Sequence, residues 1–391
     1  MLRRKSEFAP ERYPPVIRNI KRSAAIAGVA AIASVSLVAC GDSNDTAANG
    51  GNASEAQDAT NIEGLSGETG QLVAEGATSQ ANAMDYFGSR YAEAVPGANL
   101  AYNANGSGSG IKNFIGNQAV FAGSDSPLKE DKGDVEQARE RCGGNDAWHL
   151  PMVIGPVAIA FNLDGVDDLN LTVDNLVEIF DGTITKWNDP KIAENNEGAE
   201  LPDQDISVIY RSDESGTSDN FQKFLSAASD GKWEGEGKAF PQNVGAGANG
   251  STAVAEQVKA TSGAVTYVEA GYAHDLDLGV ANIDFGNGAV ELNNESVNQA
   301  LANVQFKTEG HDMVVDSSSL FASNNEGAYP LVLTTYEIVC SKGYDETTKN
   351  MVKDFLNVVL ESQDEELEDA GFIPVSGEFA DKLKAAVDAI A

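Results

Sequence analysis

Basic residues are scarce in this chain: Lys+Arg number 26 against 60 Asp+Glu among 391 residues, a formal net charge of -34. That balance excludes a nucleic-acid surface and a polybasic membrane contact, both of which need clustered cations. It does not exclude a small anionic ligand. Fixed N–H dipoles act on an anion at short range, whereas surface charge is screened beyond about 8–10 Å at ordinary salt. Histidine is scarcer still. His149, His274 and His311 form no H-x-x-x-H pair and join no carboxylate cluster at metal-ligand spacing, so no metal and no cofactor is expected. There is no G-x-S-x-G elbow either, since neither Ser107 nor Ser109 is flanked by Gly two residues to each side. With no identifiable base, a serine hydrolase has little to stand on. No apolar run reaches the roughly 20 residues that a membrane-spanning helix needs, and no repeat of solenoid period is evident.

Cysteine is limited to three positions. Arg3, Arg4, Lys5, Arg18, Lys21 and Arg22 precede the apolar run from Ala24 to Ala39, the order of an export signal. The run ends Leu37-Val38-Ala39-Cys40-Gly41, similar to the lipobox of bacterial lipoproteins, in which the Cys becomes the lipidated first residue. An ordinary signal peptide with a coincidental Cys is the plainer alternative. From Asp42 to about Gly64 only Ile62 is a sizeable apolar residue, so the segment reads as a flexible tether. After Cys40 only Cys142 and Cys340 remain. Export to an oxidising compartment makes their disulfide the natural pairing, although spacing does not show that they are close.

The densest chemistry lies in Arg211-Ser212-Asp213-Glu214-Ser215-Gly216-Thr217-Ser218. It follows the β-branched run Ile206–Tyr210 and precedes Phe221, Phe224, Leu225 and Ala228, spaced as one face of a helix. Ser215, Gly216 and Thr217 therefore open a helix, whose unpaired N–H groups and partial positive charge seat anions. Arg211 supplies a cation, with Asp213 placed to fix its guanidinium. A single loop of this kind fits a merely capped helix equally well. Three more share the design: Gly76-Ala77-Thr78-Ser79, Gly106-Ser107-Gly108-Ser109-Gly110 and Gly123-Ser124-Asp125-Ser126-Pro127, each after a strand signal. Four hydroxyl-rich loops with one Arg imply a dry oxyanion pocket built from hydrogen bonds. Gly245-Ala246-Gly247-Ala248-Asn249-Gly250 matches G-x-G-x-x-G but follows no clean buried strand, so it reads as a loop into a helix over Val254–Val258 rather than a dinucleotide site.

Strand and helix signals alternate from about Leu72 to the end, which makes the class α/β. Two apolar runs, Met152–Phe161 and Leu331–Cys340, fit the two crossings between a pair of lobes, and fit central strands of one sheet as well. Helical spacing at Met351, Phe355, Val358 and Val359, then from Leu383 to Ile390, completes the first lobe.

From about Ser66 to Ala391 these motifs, together with Gly182-Thr183-Ile184-Thr185-Lys186-Trp187-Asn188-Asp189-Pro190, resemble the phosphate-binding protein of the bacterial phosphate ABC transporter. The resemblance implies a two-lobed class II periplasmic-binding-protein fold, with mixed sheets flanked by helices and a ligand cleft between lobes. The implied organisation is a signal peptide (1–39), a lipid-anchored tether (40–65), lobe 1 (66–156), lobe 2 (157–331) and the return of lobe 1 (332–391). The implied phosphate set is Thr78, Ser79 through its backbone, Ser107, Asp125, Arg211, Ser215, Gly216 and Thr217. Some members carry Phe where Ser79 stands, and Ser-Ser-Gly-Gly where this chain has Ser107-Gly108-Ser109-Gly110, which leaves a share of the role open to Ser109. Implied partners are inorganic phosphate, the permease subunits and, through Cys40, the membrane's extracytoplasmic face; the protein is expected to be a monomer, not an enzyme, and without nucleic acid. Asp125 separates phosphate from sulfate, molybdate or tungstate: phosphate keeps a proton that a carboxylate accepts, and such sites reject analogues lacking the group by roughly 10⁴–10⁵. A turn role before Pro127 is the bland reading of Asp125. A secreted phosphatase and a surface sensor or adhesin are the other rivals.

Overall fold

A computed structural model describes residues 62–302, 304–323 and 325–391. All of these belong to one compact unit, Ala56–Ala391. The export signal, Cys40 and nearly all of the expected tether lie outside the described residues.

Twelve strands are present among them: β1 (Gly70–Gly76), β2 (Ala98–Ala104), β3 (Phe121–Ser124), β4 (Ala147–Asn162), β5 (Asn170–Thr172), β6 (Ser207–Arg211), β7 (Ala246–Ala248), β8 (Ala264–Glu269), β9 (Gly279–Val280), β10 (Asn282–Asp284), β11 (Ala289–Val290) and β12 (Val332–Cys340). The main sheet runs β2-β1-β3-β12-β4-β8-β6-β7, with β9 also on β4, and β11-β10-β5 form a second, small sheet. Parallel pairs β1–β2 and β1–β3 at one end, and β6–β7 and β6–β8 at the other, flank the antiparallel centre β3–β12–β4–β8. Parallel pairing demands crossover helices on the sheet faces, and these place helix starts at the strand ends.

The two apolar runs are β4 and β12, the central strands. β4 is 16 residues long and buried over nearly its whole length. It changes partner midway: Ala147–Pro156 pairs with β12, and Val157–Asn162 with β8. Register slips where Thr335 pairs with Val153 and Tyr336 with Pro151, leaving Met152 unpaired. Pro151 has no N–H to give a ladder, so a bulge beside it is the local solution. The apolar positions read as helical on the sequence are buried helical residues: Met84, Phe87 and Tyr91 in Ala81–Ala94, Phe221, Phe224 and Leu225 in Gly216–Ala228, and Met351, Phe355, Val358 and Val359 in Glu346–Glu361. Tyr91, Phe121 and Phe355 pack as an aromatic trio between the first helix, β3 and the Glu346–Glu361 helix.

Cys142 and Cys340 are joined, with Cα atoms 5.4 Å apart. The bond ties the C-cap of the Asp134–Arg141 helix to the last residue of β12. One expectation is corrected. Ala246–Ala248 of the glycine-rich segment is not loop but β7, an edge strand paired with Ile209–Arg211. Gly245 has φ +75 and abuts the Val208 carbonyl, so glycine there serves close backbone approach rather than a ligand.

Candidate functional site

Four helices begin where the strands of the main sheet end, at Ala81, Ser107, Gly216 and Gly250. The loops leading into them touch one another. Ala77 N donates to Gly123 O and Gly106 N to Gly76 O, fastening the first three loops together. Across the junction Gly108 N donates to Glu214 O, Ser126 Oγ to Asp219 Oδ2, and Tyr272 Oη to Thr78 O. Lys112 pairs with Glu214 on the outside of this junction. Every residue of the implied set is buried within it.

Asp125 is the centre of one side, 3% exposed. Ser79 Oγ donates to its Oδ1 at 2.6 Å, Thr335 Oγ1 to the same oxygen at 2.7 Å, and Ser107 Oγ to Oδ2 at 3.1 Å. Asn220 Nδ2 holds its main-chain carbonyl at 2.6 Å. A carboxylate offers about four acceptor positions. Three are filled, and the fourth remains on Oδ2. That oxygen lies where a Cβ on Gly216 would sit, so Gly216 is required by Asp125 and Ser107 rather than by a turn. Burial pushes the Asp125 carboxyl above its usual range, against the pull of Ser79, Thr335, Arg211 and Ser107.

Arg211 is the centre of the other side. Nε and Nη2 donate to Asp213 Oδ1 and Oδ2 at 2.8 and 2.5 Å, a bidentate pair that fixes the guanidinium plane. Asp213 is itself held by Gly250 N at 3.1 Å. Burial works against the Arg211 charge, but the bonds and charge of Asp213 more than offset it and keep Arg211 protonated. Nη1 turns inward, 3.0 Å from Ser251 Oγ and 3.5 Å from Thr217 Oγ1. Ser215 caps its helix, its Oγ accepting from Ser218 N at 3.1 Å, which leaves the hydroxyl hydrogen free to donate. Gly216 and Thr217 occupy the first turn, where N–H groups have no intrahelical acceptor, as does Ser107 in its own helix.

Thr78 meets the far side directly: its Oγ1 lies 3.0 Å from Ser251 Oγ and accepts from Ser251 N at 3.2 Å. The structure thus brings all eight expected residues together, and it adds to them. Ser79 contributes its side chain, not its backbone alone. Ser107 rather than Ser109 reaches Asp125. Thr335, Ser251 and Glu269 were not singled out by sequence. Thr335 sits at the β4–β12 bulge, which aims it at Asp125; the polar pair Thr334-Thr335 inside an apolar run was the available signal. Ser251 follows the glycine-rich edge strand β7, whose match to a dinucleotide pattern drew attention away from its helix start. Glu269, 1% exposed, ends β8 and accepts from Thr217 Oγ1 at 2.6 Å. No group of three or more His, Cys, Asp or Glu among the described residues is arranged to hold a metal.

The site is therefore one guanidinium, several hydroxyls, helix starts and the Asp125 carboxylate with one acceptor position unfilled, beside the buried carboxyl of Glu269. It suits a small tetrahedral oxyanion that carries a proton.

Comparisons with known proteins bear on this geometry. Residues 55–363 match the family model described as a PBP superfamily domain. The chain is 45% identical over 323 residues to the phosphate-binding protein PstS2 of Mycobacterium bovis (strain BCG / Pasteur 1173P2), covering 82% of this chain and 87% of that one. It is 42% identical over 323 residues to the phosphate-binding protein PstS 3 of Mycobacterium leprae (strain TN), with the same coverage. Among solved structures, a high-affinity periplasmic phosphate-binding protein (PfluDING) bound with phosphate aligns with TM-score 0.64 at 23% identity, over 81% of this chain and 93% of that one. At that identity the likeness speaks for the fold, which is the class II binding-protein fold. The chain belongs to the PstS family of phosphate-binding proteins, within the PBP superfamily.

Proposed function

We propose that this protein captures inorganic phosphate in the pocket between Asp125 and Arg211 and delivers it to the permease subunits of a phosphate ABC transporter. One observation carries the reading. Three hydroxyls fill all but one acceptor position of a buried Asp125, and the vacancy lies beside the helix start at Gly216. Phosphate at neutral pH has a proton to place there. Fully ionised sulfate, molybdate or tungstate has none and meets a negative charge instead. Arg211 Nη1, the N–H groups of Ser107, Gly216 and Thr217, and the hydroxyls of Thr78 and Ser215 take the remaining oxygens, while the Ser107 hydroxyl stays on Asp125 and that of Thr217 faces Glu269. The names of the relatives support the same ligand.

Two lobes carry these groups: residues 66–156 with 332–391, and residues 157–331. The partner change of β4 between Pro156 and Val157 supports that division, as does the alignment of Val332 with Pro156 where the chain returns. Phosphate then holds the lobes together, because only the closed arrangement makes both sets of contacts. The basic N-terminus, apolar run and Leu37-Val38-Ala39-Cys40 support export and lipidation at Cys40, with the body on a tether at the outer face of the cell membrane. No helix among the described residues is long and apolar enough to cross a membrane.

Calorimetric titration with phosphate, arsenate and sulfate tests the ligand. Phosphate and the equally protonated arsenate should bind, and sulfate should be weaker by roughly 10⁴–10⁵. Sulfate binding as tightly as phosphate would overturn the assignment.

A further inference from the structure

Glu269 is in register with Val157, where β4 changes partner, and its side chain points back to the anion pocket. Its Oε1 is 2.6 Å from Thr217 Oγ1, and its Oε2 makes no hydrogen bond although the residue is 1% exposed. The groups facing it are Arg211 from β6, Thr217 from the Gly216–Ala228 helix, Ser251 from the Gly250–Ala260 helix, Asp125 from the end of β3 and Tyr272 from the helix after β8. Arg211 is the one cation among them, and Asp213 already engages it through both oxygens. Were Glu269 ionised, it, the buried Asp125 and the half-buried Asp213 would share one guanidinium before any anion arrived. Neutralising a carboxyl by a proton is the less costly outcome in such a place. Burial pushes Glu269 above its usual range and Asp125 adds to the shift, against the opposing pull of Arg211, Thr217 and Ser251. A neutral carbonyl oxygen also tolerates the lack of a donor at Oε2 better than a charged one does.

We propose that Glu269 is a second proton-holding carboxyl of the anion site and acts as a positioning residue through Thr217; the inference rests on the phosphate reading above. Protonated at Oε1, Glu269 donates to Thr217 Oγ1. Thr217 is then left with its own hydroxyl hydrogen free, and gives it to the phosphate oxygen. Ionised, Glu269 accepts that same hydrogen, removes a donor from the ligand and sets a negative charge near it. The pair is thus a two-way switch: below the pH at which Glu269 ionises, Thr217 serves the anion, and above it Thr217 serves Glu269. Asp125 differs in role, since its vacant position accepts the proton that phosphate brings. Glu269 supplies a proton that the protein brings.

The test is phosphate affinity of the full chain and of Glu269→Gln from mildly acid to alkaline pH. The Gln amide donates to Thr217 Oγ1 at every pH, so it imitates the protonated acid. Taking the ratio of the two affinities cancels the ionisation of phosphate itself and of Asp125. The ratio should stay near unity on the acid side, then fall against the wild type by up to about tenfold per pH unit as Glu269 ionises. Calorimetry on the alkaline side, in buffers of different ionisation heat, should show the wild type taking up more protons with phosphate than the variant does. Should Glu269→Gln not fold, Thr217→Val severs the same link from the other side: the wild type should bind phosphate more tightly than Thr217→Val in acid, where Thr217 serves the anion, and that advantage should vanish in alkali, where Thr217 serves Glu269; an advantage constant with pH overturns the proposal. A ratio constant with pH, with no excess proton uptake, overturns the role of Glu269 while leaving phosphate binding intact. A wild type that binds no phosphate at any pH overturns the site reading, and this inference with it.

Discussion

Asp125 and Arg211 make opposite demands on a ligand, and their substitutions should separate accordingly. Asp125→Asn keeps the shape of the site but replaces an obligate acceptor by an amide that can turn to donate. Phosphate should weaken moderately, because the amide oxygen still accepts, while sulfate should gain through lost repulsion and a new donor. The phosphate-to-sulfate ratio should therefore drop far more than phosphate affinity. Arg211→Ala removes the cation from a desolvated pocket and leaves Asp213 without its partner. All oxyanions should weaken together, by about 2–5 kcal/mol. Titrating both anions into both variants checks the pair; an unchanged ratio in Asp125→Asn would reduce Asp125 to a turn residue. These two residues were legible in the sequence because each sits in a short motif whose strand, loop and helix are contiguous. Thr335, Ser251 and Glu269 were not, since each arrives from a strand or helix end far along the chain and its role exists only where the sheet brings those ends together. Gly216 shows the limit within a motif. Its place at a helix start was readable, whereas the Asp125 and Ser107 atoms that forbid a Cβ there lie about a hundred residues away.

At the level of elements, the sheet explains both what the apolar runs concealed and what the cysteines do. A strand buried on both faces shows no alternation, so β4 and β12 announced themselves only as long apolar stretches. Partner change, antiparallel pairing and the bulge at Met152 leave no periodic trace. The amphipathic helices do leave one, and Ala81–Ala94, Gly216–Ala228 and Glu346–Glu361 match their spacing. The Cys142–Cys340 bond closes a sequence separation of 198 residues, spanning almost everything between β3 and β12. Arg141 reinforces the same corner, stacking over Phe114 and Tyr344. Closing so long a loop restricts the unfolded chain, so reduction should lower unfolding free energy by about 2–5 kcal/mol in denaturant titrations. Phosphate affinity of the folded, reduced protein should barely change, because neither cysteine reaches the pocket. Two thiols that alkylate freely in the unreduced, unfolded protein would remove the bridge.

For the molecule as a whole, buried acids set the response to pH. Burial raises Asp125, Glu269 and, furthest, Glu337, which is fully buried with Gln80 beside it pulling the other way. A carboxyl raised in the folded state lends stability that is complete below the unfolded carboxylate range, about pH 4, and lost as pH climbs through its folded value. Asp213 and Asp219 run the other way: burial pushes each up, but Arg211 for the first and Lys223 for the second outweigh it, so their contribution is lost only on acidification. Ligand-free protein should therefore melt at a higher temperature in mild acid than in mild alkali, and Glu337→Gln should flatten that slope. A melting temperature that rises steadily into alkali would mean that these acids are ionised and tolerated. Export belongs to this scale too: Cys40→Ala should release the protein from the membrane fraction, and retention of the variant would sink the anchor. Closure is the last consequence. Thr78 against Ser251, Asp125 against Asn220 and Ser126 against Asp219 join the two proposed lobes by direct hydrogen bonds. Without an anion, Asp125 faces Glu269 across the junction, and the halves are held by those bonds, by Gly108 N on Glu214 O and Tyr272 Oη on Thr78 O, and by the Lys112–Glu214 and Lys129–Asp219 pairs. Phosphate adds contacts that only the closed form completes, so it should shift the population toward closure. Small-angle scattering should give a larger radius of gyration for the ligand-free protein than for the phosphate complex. The change should rest on Val157 and its neighbours, the point where β4 passes from one set of partners to the other. Profiles that coincide at saturating phosphate would mean a pocket already shut, with ligand entry by local opening of the loops instead.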